Sequence, residues 1–272
     1  MSSPAAAATQ PSQHPAVNSR TWWNDYFRDH WEANTGREQT RHFMVRLAAS
    51  IPSPVREWME RDERRVLDWG CALGEGVEEL RRAFPRAAVE GLDFSESAIR
   101  RGRELYPGVA LSTTQEFEAR SPDDQRFDVV VCSNCLEHFA DPIAKMREQL
   151  RLCAGVYIAM VPLEEPFPLC ESHAVSLAAS DFPEQVDHFR RLCAMPIDVD
   201  PRYWPLGKQL LVVYVSADWT PVALGLRDDP LRRSRLAAEA SPGERAPHDV
   251  APQREIDPSR RAERDKWDSI YA

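Results

Sequence analysis

Val66-Leu67-Asp68-Trp69-Gly70-Cys71-Ala72-Leu73-Gly74-Glu75-Gly76 is the stretch whose reading decides the fold. It starts in the short apolar run Arg64–Trp69, breaks at a glycine turn, and passes into Gly76–Phe84, whose apolar residues recur at helical period. Glycines at a strand-to-helix junction let the backbone turn sharply and approach a ligand, and the helix that follows offers free N–H groups. A second short run, Ala88–Leu92, ends in Asp93, about 25 residues after Asp68, a position from which an acid accepts hydrogen bonds from ribose hydroxyls.

Working outward, the same alternation repeats. Ser95 is placed to cap a helix over 95–106, and Val109–Thr114 reads as a weaker strand. Phe127–Asn134 contains the continuous Val129-Val130-Val131 expected of a strand buried on both faces. Asp141-Pro142 opens a helix, and Val156–Pro162 is a fifth strand. Strands alternating with helices of this length mean an α/β fold with a mostly parallel sheet flanked by helices. Upstream, Trp22, Tyr26 and His30 share helical spacing, as do Phe43 and Leu47. The segment 163–205 reads as irregular with a helical piece near Pro183–Cys193, and Gln209–Ser216 as a further strand.

Composition narrows the function classes. The 272 residues carry 34 Lys+Arg against 43 Asp+Glu, a net charge of -9. That balance argues against a nucleic-acid backbone binder, which needs an excess of cations. No apolar run approaches the ~18–20 residues that span a bilayer. The opening MSSPAAAATQPSQHPAV lacks the basic and apolar regions of a signal peptide, so six reduced cysteines in a cytoplasmic protein are expected. Prolines outnumber glycines, 22 to 11, and cluster toward the ends. Residues 1–20 and 219–272 therefore read as disordered tails, the second with a possible terminal helix over its last residues. There Trp267 and Tyr271 repeat the spacing of Trp22 and Tyr26, which also fits the start of a further domain.

The pattern Asp68-x-Gly70-x-Ala72-x-Gly74, followed by Asp93, resembles motifs I and II of the class I S-adenosylmethionine-dependent methyltransferases. Phe127-Asp128-x-Val130, Glu137-His138-x-x-Asp141-Pro142 and the strand ending Val161-Pro162 are similar to later segments of that family. Ala72 stands where the family usually has glycine. Trp22-x-x-x-Tyr26-Phe27 and Glu38-Gln39-Thr40 look like a bacterial subgroup of glycan and secondary-metabolite biosynthesis. The resemblance implies a Rossmann-like methyltransferase domain over 61–218, an N-terminal helical cap over 21–60, and a substrate insert at 163–208. It implies that Gly70, Cys71, Ala72 and Gly74 run under the methionine part of S-adenosylmethionine and that Asp68 orients the loop. It places Asp93 on the ribose and Phe94 beside the adenine. Many members carry an acid after the third strand; here Thr114 or Gln115 would substitute. Ser133 and Asn134 would line the methyl end.

Glu137 and His138 follow the fourth strand as the candidate catalytic residues, and His138, whose ordinary pKa is better matched to proton removal near neutrality, is the expected general base. A metal is not expected: a divalent-ion variant of this segment has a carboxylate where Asn134 stands, although Glu171 and His173 follow later. Cys132-x-x-Cys135 has no second pair at zinc-site spacing. Gln39 and Arg41 stand as candidates for an acidic group on cofactor or substrate. The function expected is methyl transfer to an O or N atom of a small metabolite or glycan intermediate. The alternative is a catalytically weak, cofactor-binding or scaffold domain of a larger biosynthetic protein.

Overall fold

The computed structural model describes residues 15–219; what the sequence suggests for 1–14 and 220–272, the terminal helix included, lies outside the described residues. The strands are β1 (Arg65–Trp69), β2 (Ala88–Asp93), β3 (Ala110–Thr113), β4 (Phe127–Ser133), β5 (Cys153–Pro162), β6 (Gln185–Val186), β7 (Phe189–Asp198) and β8 (Lys208–Ser216). They form one sheet in the order β3-β2-β1-β4-β5-β8-β7-β6. The strands from β3 to β5 run parallel, whereas β8, β7 and β6 are added antiparallel. The helices are α1 (Arg20–Asp29), α2 (Gly36–Ser50), α3 (Ser53–Arg61), α4 (Glu75–Ala83), α5 (Glu96–Leu105), α6 (Thr114–Glu118) and α7 (Pro142–Leu150). The architecture is the Rossmann-like α/β fold with N-terminal helices.

Period-two geometry explains the continuous apolar strands. Val129, Val131, Ile158 and Val213 belong to one core, closed by Leu47 of α2, Trp58 of α3 and Leu80 of α4. Val130, Cys132, Tyr157 and Val212 belong to the other, closed by Phe117 of α6 and Met146 and Leu150 of α7. Each fully buried Val, Leu or Phe contributes roughly 1.5–3 kcal/mol. Helix starts follow local chemistry: Ser95 accepts the Ala98 N–H at 3.2 Å and Asp141 the Ala144 N–H at 2.8 Å, with Pro142 at the first helical position.

Two expectations change. The piece near Pro183–Cys193 is not helical but is the β6–β7 hairpin, because β7 pairs along its length with β8. A register shift between Arg191 and Cys193 interrupts the alternation that would have marked a strand. At the N-terminal side, the described end of segment 1–20 takes part in the fold. Ser19 caps α1, and Asn18 donates to the carbonyls of Ser172 (2.7 Å) and His138 (3.3 Å). At the other end Trp219 is buried against Trp58, with ring centroids 6.2 Å apart.

The chain leaves β1 toward β2 on one side, while β4 leads to β5 on the other. That reversal opens a crevice at the carboxyl ends of β1 and β4, where open α/β sheets bind ligands.

Candidate active site

The β1–α4 loop is built on three left-handed residues: Gly70 (φ 76°), Ala72 (φ 49°) and Gly74 (φ 97°). The first and last are at no steric cost, whereas the conformation costs roughly 1–2 kcal/mol for Ala72. Backbone bonds hold the turn: the N–H groups of Gly70 and Cys71 both donate to Leu92 O, at 2.7 and 3.1 Å. Asp93 completes the clamp. Its Oδ2 accepts the Ala72 N–H at 3.0 Å and its Oδ1 the Ser95 N–H at 2.8 Å. A side chain at Gly70 would collide with Cys135 Sγ, so this position is kept bare on two grounds.

Burial lifts the Asp93 carboxyl to about 6, against the lowering pull of the Ser95, Ala72 and Phe94 N–H groups. Asp68 lies deeper, 2% exposed, and burial followed by the nearby Asp93 charge raises it to about 7. Cys71 is equally buried in the core, and burial raises its thiol well above the ordinary range.

At the end of β3, Thr113 and Glu116 form a capping box on α6, and Glu116 also pairs with Arg103 at 2.7 Å. The hydrogen bond from Arg103 is the main cause holding Glu116 at about 2, so this acid is committed to the helix start. Thr114 faces the crevice and Gln115 is exposed.

Beyond β4, Asn134 takes a left-handed conformation (φ 52°), which asparagine tolerates. A 3-10 turn at Leu136–His138 follows. Glu137 is 1% exposed and its Oε2 has no hydrogen-bond partner. Burial, with the Glu165 charge second, raises it to about 8. His138 Nδ1 lies 2.8 Å from Ser172 O, its ring meets Trp23 edge-on at 5.0 Å, and burial lowers it to about 4. The segment after β5 folds back here: the Ala174 N–H donates to Glu137 O at 2.8 Å. This brings His173 to 5.1 Å from His138, ring centroid to ring centroid. His173 Nδ1 contacts Glu165 Oε2 at 2.5 Å.

These groups border one cavity of about 1050 Å³. Of the residues expected from the sequence, Gly70, Ala72, Asp93, Phe94, Thr114, Ser133, Asn134, Glu137 and His138 line it. Asp68, Cys71 and Gly74 are buried and do not line it, and Gln115 is exposed outside it. Gln39 lines the cavity with its amide donating to Tyr203 O at 2.7 Å, whereas Arg41 is turned to the Tyr106 hydroxyl. Trp22, Trp23 and Tyr26, aromatic side chains suited to stacking on a ring, line it as well. So do Trp69, His173 and Asn18, and of these three only His173 carried a signal in the sequence, as the histidine downstream of the Glu137-His138 pair. The ligand atoms of Glu137, His138 and His173 lie within 4.8 Å of one another. That spacing suits either a proton-transfer array or a cation. The loop and Asp93 can hold a hydroxylated ligand, since a carboxylate has accepting capacity beyond its bonds to backbone N–H groups.

Residues 37–192 match the family model described as the Methyltransferase domain, more than half of the chain. Over 101 residues the chain is 38% identical to the ubiquinone biosynthesis O-methyltransferase of Azotobacter vinelandii, covering 33% of this chain and 42% of that one. Over 142 residues it is 30% identical to cycloartenol-C-24-methyltransferase 1 of Oryza sativa subsp. japonica, covering 48% and 39% respectively. The chain thus spans less than half the length of these relatives. Among solved structures, magnesium protoporphyrin IX methyltransferase from Synechocystis PCC 6803 with bound SAM superposes with a TM-score of 0.54. At 17% identity, covering 75% of this chain and 100% of that one, this likeness speaks to the fold alone. With its glycine loop, its Asp93 clamp and the family match over 37–192, the chain belongs to the methyltransferase-domain family and has its class I, Rossmann-like fold.

Proposed function

We propose that the protein transfers the methyl group of S-adenosylmethionine to an oxygen or nitrogen of a small metabolite or glycan intermediate. One observation carries this reading: the cavity has two chemically different ends. At one end Gly70, Ala72, Asp93, Phe94 and Thr114 make a bare backbone turn, a hydroxyl-binding carboxylate and an aromatic edge, which suit a nucleoside. At the other, Glu137, His138, His173 and Trp204 make a polar, aromatic-walled space for an acceptor. S-adenosylmethionine bound at the first end would supply an already activated methyl group.

The chain's own task is then to align the acceptor and exclude water, and proximity carries much of the rate. Asp93 fixes the loop and accepts from ribose hydroxyls. Glu137 keeps its proton at neutral pH and donates a hydrogen bond into the cavity. His138 is kept neutral by burial, with Nδ1–H on Ser172 O, and its ring forms part of the wall against which the incoming molecule packs. We assign acceptor selection to the cap at 21–60, which contributes Trp23, and to the insert at 163–208, which contributes His173 and Trp204. A cytoplasmic setting fits the six cysteines, all free. Among the described residues no helix is long and apolar enough to cross a membrane.

The test is label transfer from [methyl-³H]S-adenosylmethionine to a panel of hydroxylated and amino small molecules, with extraction and mass identification of the product. Transfer that is lost in Asp93→Ala supports the reading. A folded protein that neither binds S-adenosylmethionine nor transfers label overturns it.

A further inference from the structure

Glu165 and His173 form a pair that the roles above leave unused. Glu165 is 6% exposed; its Oε1 accepts the Cys170 N–H at 2.7 Å, and its Oε2 meets His173 Nδ1 at 2.5 Å. Both carboxylate oxygens are therefore fixed, and Nδ1 must carry the proton of the neutral imidazole, leaving the Nε2 lone pair available. His173 lines the cavity and Glu165 does not. The ring stands between His138 and Trp204, at 5.1 and 5.9 Å between centroids.

We propose that His173 is the general base that takes the proton from an acceptor hydroxyl, and that Glu165 is its positioning residue. This rests on the methyl-transfer reading above. The comparison with His138 decides between the two histidines. His138 Nδ1 leans on a neutral carbonyl, and burial lowers its affinity for a proton. His173 leans on a carboxylate, which stabilises the imidazolium that forms when Nε2 accepts the proton. Burial pushes Glu165 up, but the hydrogen bonds from His173 and from Cys170 outweigh it and hold the carboxyl below its usual range. The other titratable groups against the pair are Glu137, His138 and Cys170, and Glu171 lines the same cavity. In the step itself, the acceptor oxygen bonds the methyl carbon while its proton passes to His173 Nε2. The carbon–sulfur bond breaks and its electron pair stays on sulfur, turning the sulfonium into a thioether. The imidazolium then returns its proton to water.

The experiment compares wild type, His173→Gln, Glu165→Gln and Glu165→Asp on catechol and on 4-nitrocatechol, the latter ionised at the assay pH. Calorimetric titration with S-adenosylmethionine runs alongside. General-base catalysis typically contributes about 10²–10⁴-fold. His173→Gln should therefore lower kcat on catechol by at least about 100-fold and on 4-nitrocatechol by less than about tenfold. Glu165→Gln should lower kcat on catechol and displace the limb of its pH profile, with partial recovery in Glu165→Asp. ¹⁵N-histidine spectra of the wild type should show His173 as the Nδ1–H tautomer with a far-downfield proton that Glu165→Gln removes. That readout stands whether or not either catechol is turned over. Equal losses on both catechols, an Nε2–H tautomer, or activity abolished by EDTA and restored by a divalent metal would each overturn the proposal. Absence of S-adenosylmethionine binding by the wild type would sink the methyl-transfer reading instead, leaving the tautomer to judge the pair.

Discussion

Glu137 offers the sharpest quantitative test of the site. Its carboxyl is raised from 4.5 to about 8, first by burial and then by Glu165. A carboxyl whose folded pKa exceeds its unfolded one favours the native state at low pH. The native state holds the proton more tightly, so stability falls as pH rises from about 4.5 toward 8. With 1.36 kcal/mol per pKa unit, this one group costs about 2 kcal/mol between pH 6 and pH 8, about half of it above pH 7. Glu137→Gln keeps the shape and removes the titration. Asp68, at about 7, titrates over part of the same range, but identically in both proteins. Urea unfolding of wild type and variant at pH 6, 7 and 8 isolates the difference. The variant should gain about 2 kcal/mol relative to wild type across that interval at unchanged m-value. A difference that does not change with pH would refute the claim that a proton sits on Glu137 in the folded protein.

Other consequences follow from the same geometry. Gly70→Ala should destabilise the fold by about 1–2 kcal/mol from its left-handed φ alone. Its new methyl also meets Cys135, so thermal unfolding and cofactor affinity should fall together, and Cys135→Ala should recover only the collision. Tyr106→Phe should cost about 1–3 kcal/mol in denaturant titration, because it removes the hydroxyl on which three hydrogen bonds to charged side chains converge, while Glu75 keeps the bond from Arg37 Nε at 2.9 Å. Arg37 and Arg41 donate to that hydroxyl at 3.0 and 2.7 Å, and it donates to the fully buried Glu75 at 3.1 Å. Asp93→Ala should orphan the Ala72 and Ser95 N–H groups and lower both stability and S-adenosylmethionine affinity, the latter by at least about 100-fold if two hydroxyl bonds are lost.

What was readable in the sequence is what local chemistry controls. The strand–turn–helix at 66–76, the Val129–Val131 strand and the caps at Ser95 and Asp141 are each written within a few residues, and the structure forms them as expected. The hairpin at 185–198 was not, because its pairing with β8 and its register shift are properties of the sheet. At the site, spacing put Gly70, Ala72, Asp93 and the end of β4 on one edge. It could not tell which neighbouring side chains face the cavity. Thr114 faces it and Gln115 does not because the Thr113–Glu116 box sets where α6 begins. His173, with Glu165 behind it, meets His138 only because the segment after β5 is strapped to Glu137 O, a contact with no local signature.

The central claim is that this cavity binds S-adenosylmethionine through Asp93. Calorimetric titration of the folded protein with S-adenosylmethionine, beside the Asp93→Ala variant and NADH as a control ligand, tests it most directly. The account predicts one saturable site for S-adenosylmethionine, none for NADH, and severe weakening in the variant; wild-type affinity retained without the Asp93 carboxylate, or no S-adenosylmethionine binding at all, would contradict it.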